Sequence, residues 1–211
     1  MTDTTAPDLS GTADEGRRER KKRATRDELI AHAARLFDAH GFDETTTEQI
    51  AEAADVSQRT FFRHFPSKEA VLYADMDDQR RRVRDALLDR PADEPVLEAV
   101  RHAIMSLADG FQDEREMRFL QARMAAAYPA VSAYSRAVVQ AQWERELIAA
   151  IASRLDVDPM TDPRPEIIAG AAMSALRAST RRWTSTNGRD DLPDLVSQAL
   201  DAMSSIGTLA A

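Results

Sequence analysis

One stretch limits this chain more than any other: TTTEQIAEAADVSQRTFFRHFPSK, from Thr45 to Lys68. Its hydroxyls, amide and proline stand where helices start and stop. Thr46 and Gln49 form a capping box, in which side chain and backbone at the two positions satisfy each other's orphan groups. Ile50, Ala51 and Ala54 supply the inner face of the helix that follows. Asp55 and Val56 make a turn, and Ser57 is placed to cap a second helix. That helix is short, about Gln58 to His64, and Pro66 ends it. Phe61 and Phe65, four residues apart, face inward, which leaves Gln58, Arg59, Phe62 and Arg63 facing outward. Ser67 caps a further helix expected to run from Lys68 to Leu88.

The flanks agree with this register. Leu29, Ile30, Ala33, Leu36 and Phe37 mark one buried face of a helix from about Thr25 to His40. Gly41 stops it as a left-handed residue, with Phe42 folding back on the helix. Residues 1–22 are expected to be a disordered tail that ends in a basic arm, with the three-helix unit over 23–70 and a larger helical part over 71–211. In that part, helices are expected at 94–109, 113–127, 130–155, 163–187 and 191–206, and Val139, Trp143, Leu147, Ile151 and Leu155 recur every four residues. Scarce glycine, abundant alanine and few β-branched runs make the chain all-α, with about nine helices.

Charge adds the first functional hint. The net charge is −8, yet Arg17 to Arg26 holds seven cations and one acid. Val56 to Lys68 holds three cations, one histidine and no acid. A cationic patch on an acidic body can neutralise phosphates locally while the remainder avoids nonspecific adhesion. Two short helices, a tight turn and an outward face of Gln, Arg and Thr make a DNA-reading helix-turn-helix.

The run GFDETTTEQIAEAADVSQRTFFRHFPSKEAVL resembles the DNA-binding domain of tetracycline-repressor-like (TetR/AcrR) regulators over about residues 23–72. Segment 117–203 is similar to the C-terminal domain of actinobacterial regulators of the mycofactocin-regulator type. This likeness rests on Arg115–Leu120, on W-x-R-E-L from Trp143, and on A-L-R-A and R-R-W between Ala175 and Trp183. The two likenesses imply a ligand-responsive, sequence-specific DNA-binding transcriptional regulator. It is expected to be cytoplasmic and to work as a homodimeric repressor, released from a near-palindromic operator by a small amphipathic effector such as a fatty acyl-CoA.

Within that frame, Gln58 pairs with adenine, Arg59 with guanine, and Thr60 with a thymine methyl or a phosphate. Thr46, Arg63, His64 and Lys68 hold phosphates. Phe62 departs from the family, which usually carries a tyrosine whose hydroxyl reaches a phosphate. Met105, Phe111, Phe119, Met124, Tyr128, Tyr134 and Trp143 are candidates for an adaptable ligand pocket, with Arg177, Arg115, Arg118 or Arg123 as an anion anchor. The resemblance implies that the last two helices pair with their symmetry mates, through Ile168, Ala172, Ala175, Leu176, Trp183, Leu195 and Leu200. Such a dimer sets two reading helices roughly 34–36 Å apart.

Other classes fit less well. There is no cysteine, and His32, His40, His64 and His102 lack metal-ligand spacing. No phosphate-cradling glycine loop or serine elbow occurs, so neither an enzyme nor a cofactor is expected. No apolar run is long enough to span a membrane. The alternative is an architectural or protein-interaction module that keeps the fold without an effector.

Overall fold

The computed structural model describes residues 10–205, and every regular element among them is helical. The chain separates into two compact units between Leu72 and Tyr73.

The first unit contains α1 (Ser10–His40), α2 (Thr47–Ala53), α3 (Gln58–His64) and α4 (Lys68–Leu72). α1 begins at Ser10 rather than near Thr25, so residues 10–22 are helix and not a disordered tail. Residues 1–9 of the expected tail lie outside the described residues. The Arg, Lys, Glu and Ala of this run are strong helix formers, and once α1 is nucleated by its packed half it extends through them. Gly41 closes α1 with a φ of 83°, and its amide donates to the Phe37 carbonyl at 3.0 Å. The Phe42 ring returns to within 5.2 Å of Phe37. Leu29, Ala33, Phe37, Phe42, Ile50, Phe61 and Phe65 are all buried, and they hold α2 and α4 against α1, with α3 packed on α2. Each large side chain among them contributes about 1.5–3 kcal/mol by leaving water.

The second unit contains α5 (Met76–Leu88), α6 (Val96–Asp113), α7 (Arg115–Ala127), α8 (Pro129–Tyr134), a π-helical segment (Ser135–Gln140), α9 (Ala141–Leu155), α10 (Arg164–Ser185) and α11 (Leu192–Ser205). Buried Val100, Ile104, Leu107 and Phe111 let α6 pack against α5, α9, α10 and α11. The Arg154 guanidinium on α9 donates to the carbonyls of Arg90 and Glu94, each at 3.0 Å, and ties down the loop before α6.

The sequence pattern misses two interruptions. The expected helix from Lys68 to Leu88 breaks at Tyr73–Asp75, where a tertiary pairing takes the Asp75 carboxylate. Arg118 forms an ion pair with it, and Gln121 Nε2 donates to Asp75 Oδ1 at 3.1 Å. The expected helix over 130–155 is continuous, but it widens into the π segment at Ser135–Gln140. Among the described residues, no helix is long and apolar enough to cross a membrane.

Candidate functional site

The turn between α2 and α3 is built by local hydrogen bonds. Gln49 N donates to Thr46 Oγ1 at 3.1 Å, and Thr46 N donates to Gln49 Oε1 at 2.8 Å, completing the capping box. Asp55 takes a left-handed φ of 52°, and Val56 N returns to the Ala51 carbonyl at 2.9 Å. Ser57 Oγ then accepts from Thr60 N at 3.1 Å and starts α3. Inward Phe61 and Phe65, with ring centroids 5.7 Å apart, fix the rotation of α3 about its axis.

That rotation exposes the side chains of Gln58 and Arg59. Gln58 Nε2 donates to Thr47 Oγ1 at 3.0 Å, so its amide is oriented before any partner arrives. Arg59 projects into solvent. Thr60 is half-buried, and its hydroxyl shares a 3.0 Å hydrogen bond with Ser57, which makes it part of the cap. Arg63 is exposed on the same short helix, and the Phe62 ring is 50% exposed, with an edge contact to Phe61 at 5.4 Å.

Two candidates for phosphate contact have other roles. The Lys68 ammonium donates to the carbonyls of Phe42 at 2.6 Å and Thr45 at 2.8 Å, and it sits 4.2 Å from the Phe42 ring centroid. It therefore clasps the α1–α2 connection onto α4, with two of its three donors committed. His64 Nε2 is shielded from solvent and has no hydrogen-bond partner. Burial first, then the charges of Arg63, Arg26 and Lys22, hold its imidazole below the usual histidine range. A neutral, shielded ring is a poor phosphate ligand. The Thr46 hydroxyl is exposed but engaged in the capping box.

The second unit carries an open cavity of about 700 Å³, within the range of small-molecule sites. Phe111, Trp143 and Arg177 line it, together with Arg118 and Arg123. Met105, Phe119, Met124, Tyr128 and Tyr134 do not. Phe119 stacks on Trp183 at 4.8 Å and Tyr134 on Tyr73 at 6.1 Å, while Met124 is buried away from the cavity. The lining residues that the sequence hid are Tyr73, Met76, Gln121, Ala122, Ala125 and Thr180. The signal was present on α7, where Arg118, Gln121, Ala122 and Ala125 share one face at helical spacing. Alanines at that spacing read as close packing rather than as the floor of a cavity.

Part of the cavity wall is a buried polar network. Arg118 is 3% exposed, and its guanidinium carbon lies 4.5 Å from the Phe111 ring centroid. Its amino groups donate to Gln121 Oε1 at 2.7 Å and Glu114 Oε2 at 2.9 Å, alongside the ion pair with Asp75. Gln79 Nε2 adds a 2.9 Å bond to Glu114 Oε2. Burial pushes the guanidinium down to about 9, so it remains charged at neutral pH. Burial also pushes the Tyr73 phenol up, and its hydroxyl hydrogen-bonds Ser135 in the π segment. Ser135, Val139 and Gln140 bring that segment into the cavity lining.

On α10 and α11, Ala172, Ala175, Leu176, Trp183 and Leu200 of the partner-facing assignment are buried within their own unit. Ile168 and Leu195 remain partly exposed.

Residues 29–74 match the family profile of bacterial regulatory proteins, tetR family, and residues 94–206 match the MftR C-terminal domain profile. The HTH-type transcriptional regulator TcmR of Streptomyces glaucescens is 37% identical over 175 residues, which is 80% of this chain and 76% of that protein. The chain belongs to the TetR family. TetR-family proteins are non-enzymatic transcriptional regulators that bind DNA operators, dimerise and bind small-molecule ligands. Thermus thermophilus FadR, a TetR-family repressor solved in complex with lauroyl-CoA, is 26% identical, with a TM-score of 0.52 over 83% of this chain and 91% of that one. The SmeT–triclosan complex has the same fold, with a TM-score of 0.62 over 85% of this chain and 89% of that one, at 18% identity.

Proposed function

We propose that this TetR-family regulator is a homodimeric repressor that reads a near-palindromic operator and is released from it by an amphipathic anion, with a fatty acyl-CoA as the leading candidate. The observation that carries the effector class is the composition of the cavity. Apolar Met76, Phe111, Val139 and Trp143 line it together with the arginines Arg123 and Arg177. An acyl chain suits the apolar part, and the phosphates of a CoA head group suit arginines. The lauroyl-CoA complex of the T. thermophilus relative supports the same chemistry.

Reading is assigned to Gln58 and Arg59, with Arg63 on the backbone. Dimerisation is assigned to the outward stripes of α10 and α11, Ile167, Ala171, Ser174 and Ala178 on one helix and Leu195 and Ala199 on the other. Ile167 is 65% exposed, and the small residues beside it let a second pair of helices approach closely. Such a dimer makes the operator two-fold symmetric. Effector and DNA favour different states, so each weakens the other's binding by the same factor.

The test uses operator fragments selected from genomic DNA with the full-length protein. Lauroyl-CoA added at increasing concentration is expected to release the DNA and to raise the melting temperature of the free protein. Arg177→Ala is expected to lower the apparent lauroyl-CoA affinity while leaving operator affinity unchanged. Absence of both release and thermal shift removes acyl-CoA as the effector.

A further inference from the structure

α1 extends far beyond the part of it that the family profile matches: the match begins at residue 29, whereas the helix begins at Ser10. The added turns carry the densest positive charge in the chain. Arg18, Lys22 and Arg26 are spaced four apart and therefore form one stripe, about 12 Å long at 1.5 Å per residue. Glu19 is the only acid between Arg17 and Arg26, and it pairs with Lys22 at 3.9 Å. Both of those side chains are well exposed, so the pair is weak and does little to screen the Lys22 charge.

Where this stripe leads sets it apart from a solvated charge run. The Arg26 guanidinium carbon lies 5.0 Å from the ring centroid of Phe65, the residue that closes α3. Lys22 and Arg26 are also close enough to His64 to act on its ring together with Arg63. The lower end of the stripe therefore adjoins the C-terminal end of the reading helix, and the rest runs away from it along a helix axis. A flexible tail could fold back anywhere, but a continuous helix holds its charges at fixed distances from α3.

The geometry points to the N-terminal half of α1 as a second DNA-contacting surface. It is a helical arm that lays Arg18, Lys22 and Arg26 along the phosphates flanking the bases read by α3. This rests on the reading of α2 and α3 as the DNA-reading pair. The arm contributes affinity and register but no base discrimination, because its contacts go to phosphates. Each phosphate it neutralises adds about 0.9 to the slope of log K against log salt concentration.

Three variants of the full-length protein test this on a selected operator between 50 and 300 mM salt. The double variant Arg18→Gln, Lys22→Gln is expected to flatten the salt slope by roughly 1.8 per half-site, since two contacts are lost. Its base preference in operator selection is expected to stay unchanged. Ala24→Pro keeps every charge but breaks the helix between Lys22 and Arg26, which unfixes Arg18 and Lys22, and it is expected to flatten the slope to the same degree. Arg59→Ala serves as the control, with loss of preference at one base position and a retained salt slope. An unchanged slope in the double variant overturns the arm. Flattening in the double variant without flattening in Ala24→Pro overturns the rigid helix in favour of a mobile tail. If Arg59→Ala changes neither affinity nor base preference, it is the assignment of α3 as the reading helix that fails.

Discussion

The helix-turn-helix and the cavity of the second unit get their geometry from contacts of very different sequence range. In the first unit the deciding bonds join residues three or four apart: Thr46 with Gln49, Ser57 with Thr60, Phe61 with Phe65. In the second unit they join Gln79 to Glu114, Asp75 to Gln121 and Arg154 to Arg90, which lie 35, 46 and 64 residues apart. A site made from neighbours can be written into a short motif and kept while the rest of the chain changes. A site made from distant partners depends on the packing of the whole bundle, which leaves its lining free to vary with the ligand.

That contrast can be broken most directly at Arg118. Arg118→Ala removes the cation paired with Asp75 and one of the two paired with Glu114, which keeps Arg82, and with the carboxylates part-exposed it is expected to cost about 2–3 kcal/mol. Both tryptophans, Trp143 and Trp183, lie in the second unit, so the loss should appear as an earlier urea transition in tryptophan fluorescence. Retention of the wild-type midpoint would mean that the network is not what holds the cavity wall.

Lys68 gives a smaller effect in the first unit. Lys68→Met removes two donors to backbone carbonyls and is expected to cost about 1–2 kcal/mol of that unit's stability. The tryptophan transition should stay in place while the helical circular dichroism signal melts earlier. The salt slope for DNA binding is also expected to stay constant, because the ammonium is committed within the fold. A flatter slope would return Lys68 to the phosphate contacts.

The smallest effect concerns pH. His64 has its folded-state pKa below the usual 6.5, so the unfolded chain binds the proton more readily. Its contribution to stability is complete above about 6.5 and is lost as pH falls below that value and through the lower folded-state pKa. His64→Gln is therefore expected to reduce the drop in dichroism-detected stability between pH 7.5 and pH 5.5. An unchanged drop would assign the acid sensitivity to other groups.

Several features could be read from the residues before any fold was known. Gly41, the Thr46–Gln49 box, the Ser57 cap and the inward phenylalanines appear where the pattern puts them, because caps and periodicity are local physics. The outward Gln58 and Arg59 follow from that register without further information. The break at Tyr73–Asp75 could not be read, because no glycine or proline marks it and its partner Arg118 lies on another helix. The π segment is hidden in the same way, within a clean every-fourth-residue stripe. Most of the aromatic and methionine candidates for the pocket lie outside this cavity, since bulk and apolarity show burial but not against what.

The sequence alone determined an all-helical chain, a helix-turn-helix with Gln58 and Arg59 facing outward, and a basic run from Arg17 to Arg26. Those follow from propensities and from hydrogen bonds that close within one or two turns. Only the tertiary structure decided that Lys68 is a clasp, that His64 is shielded, and that Ala172, Ala175, Leu176, Trp183 and Leu200 face their own core. It also decided which face of α7 borders the cavity. Each of these depends on which distant backbone or ring comes within reach, and side-chain periodicity carries no information about that.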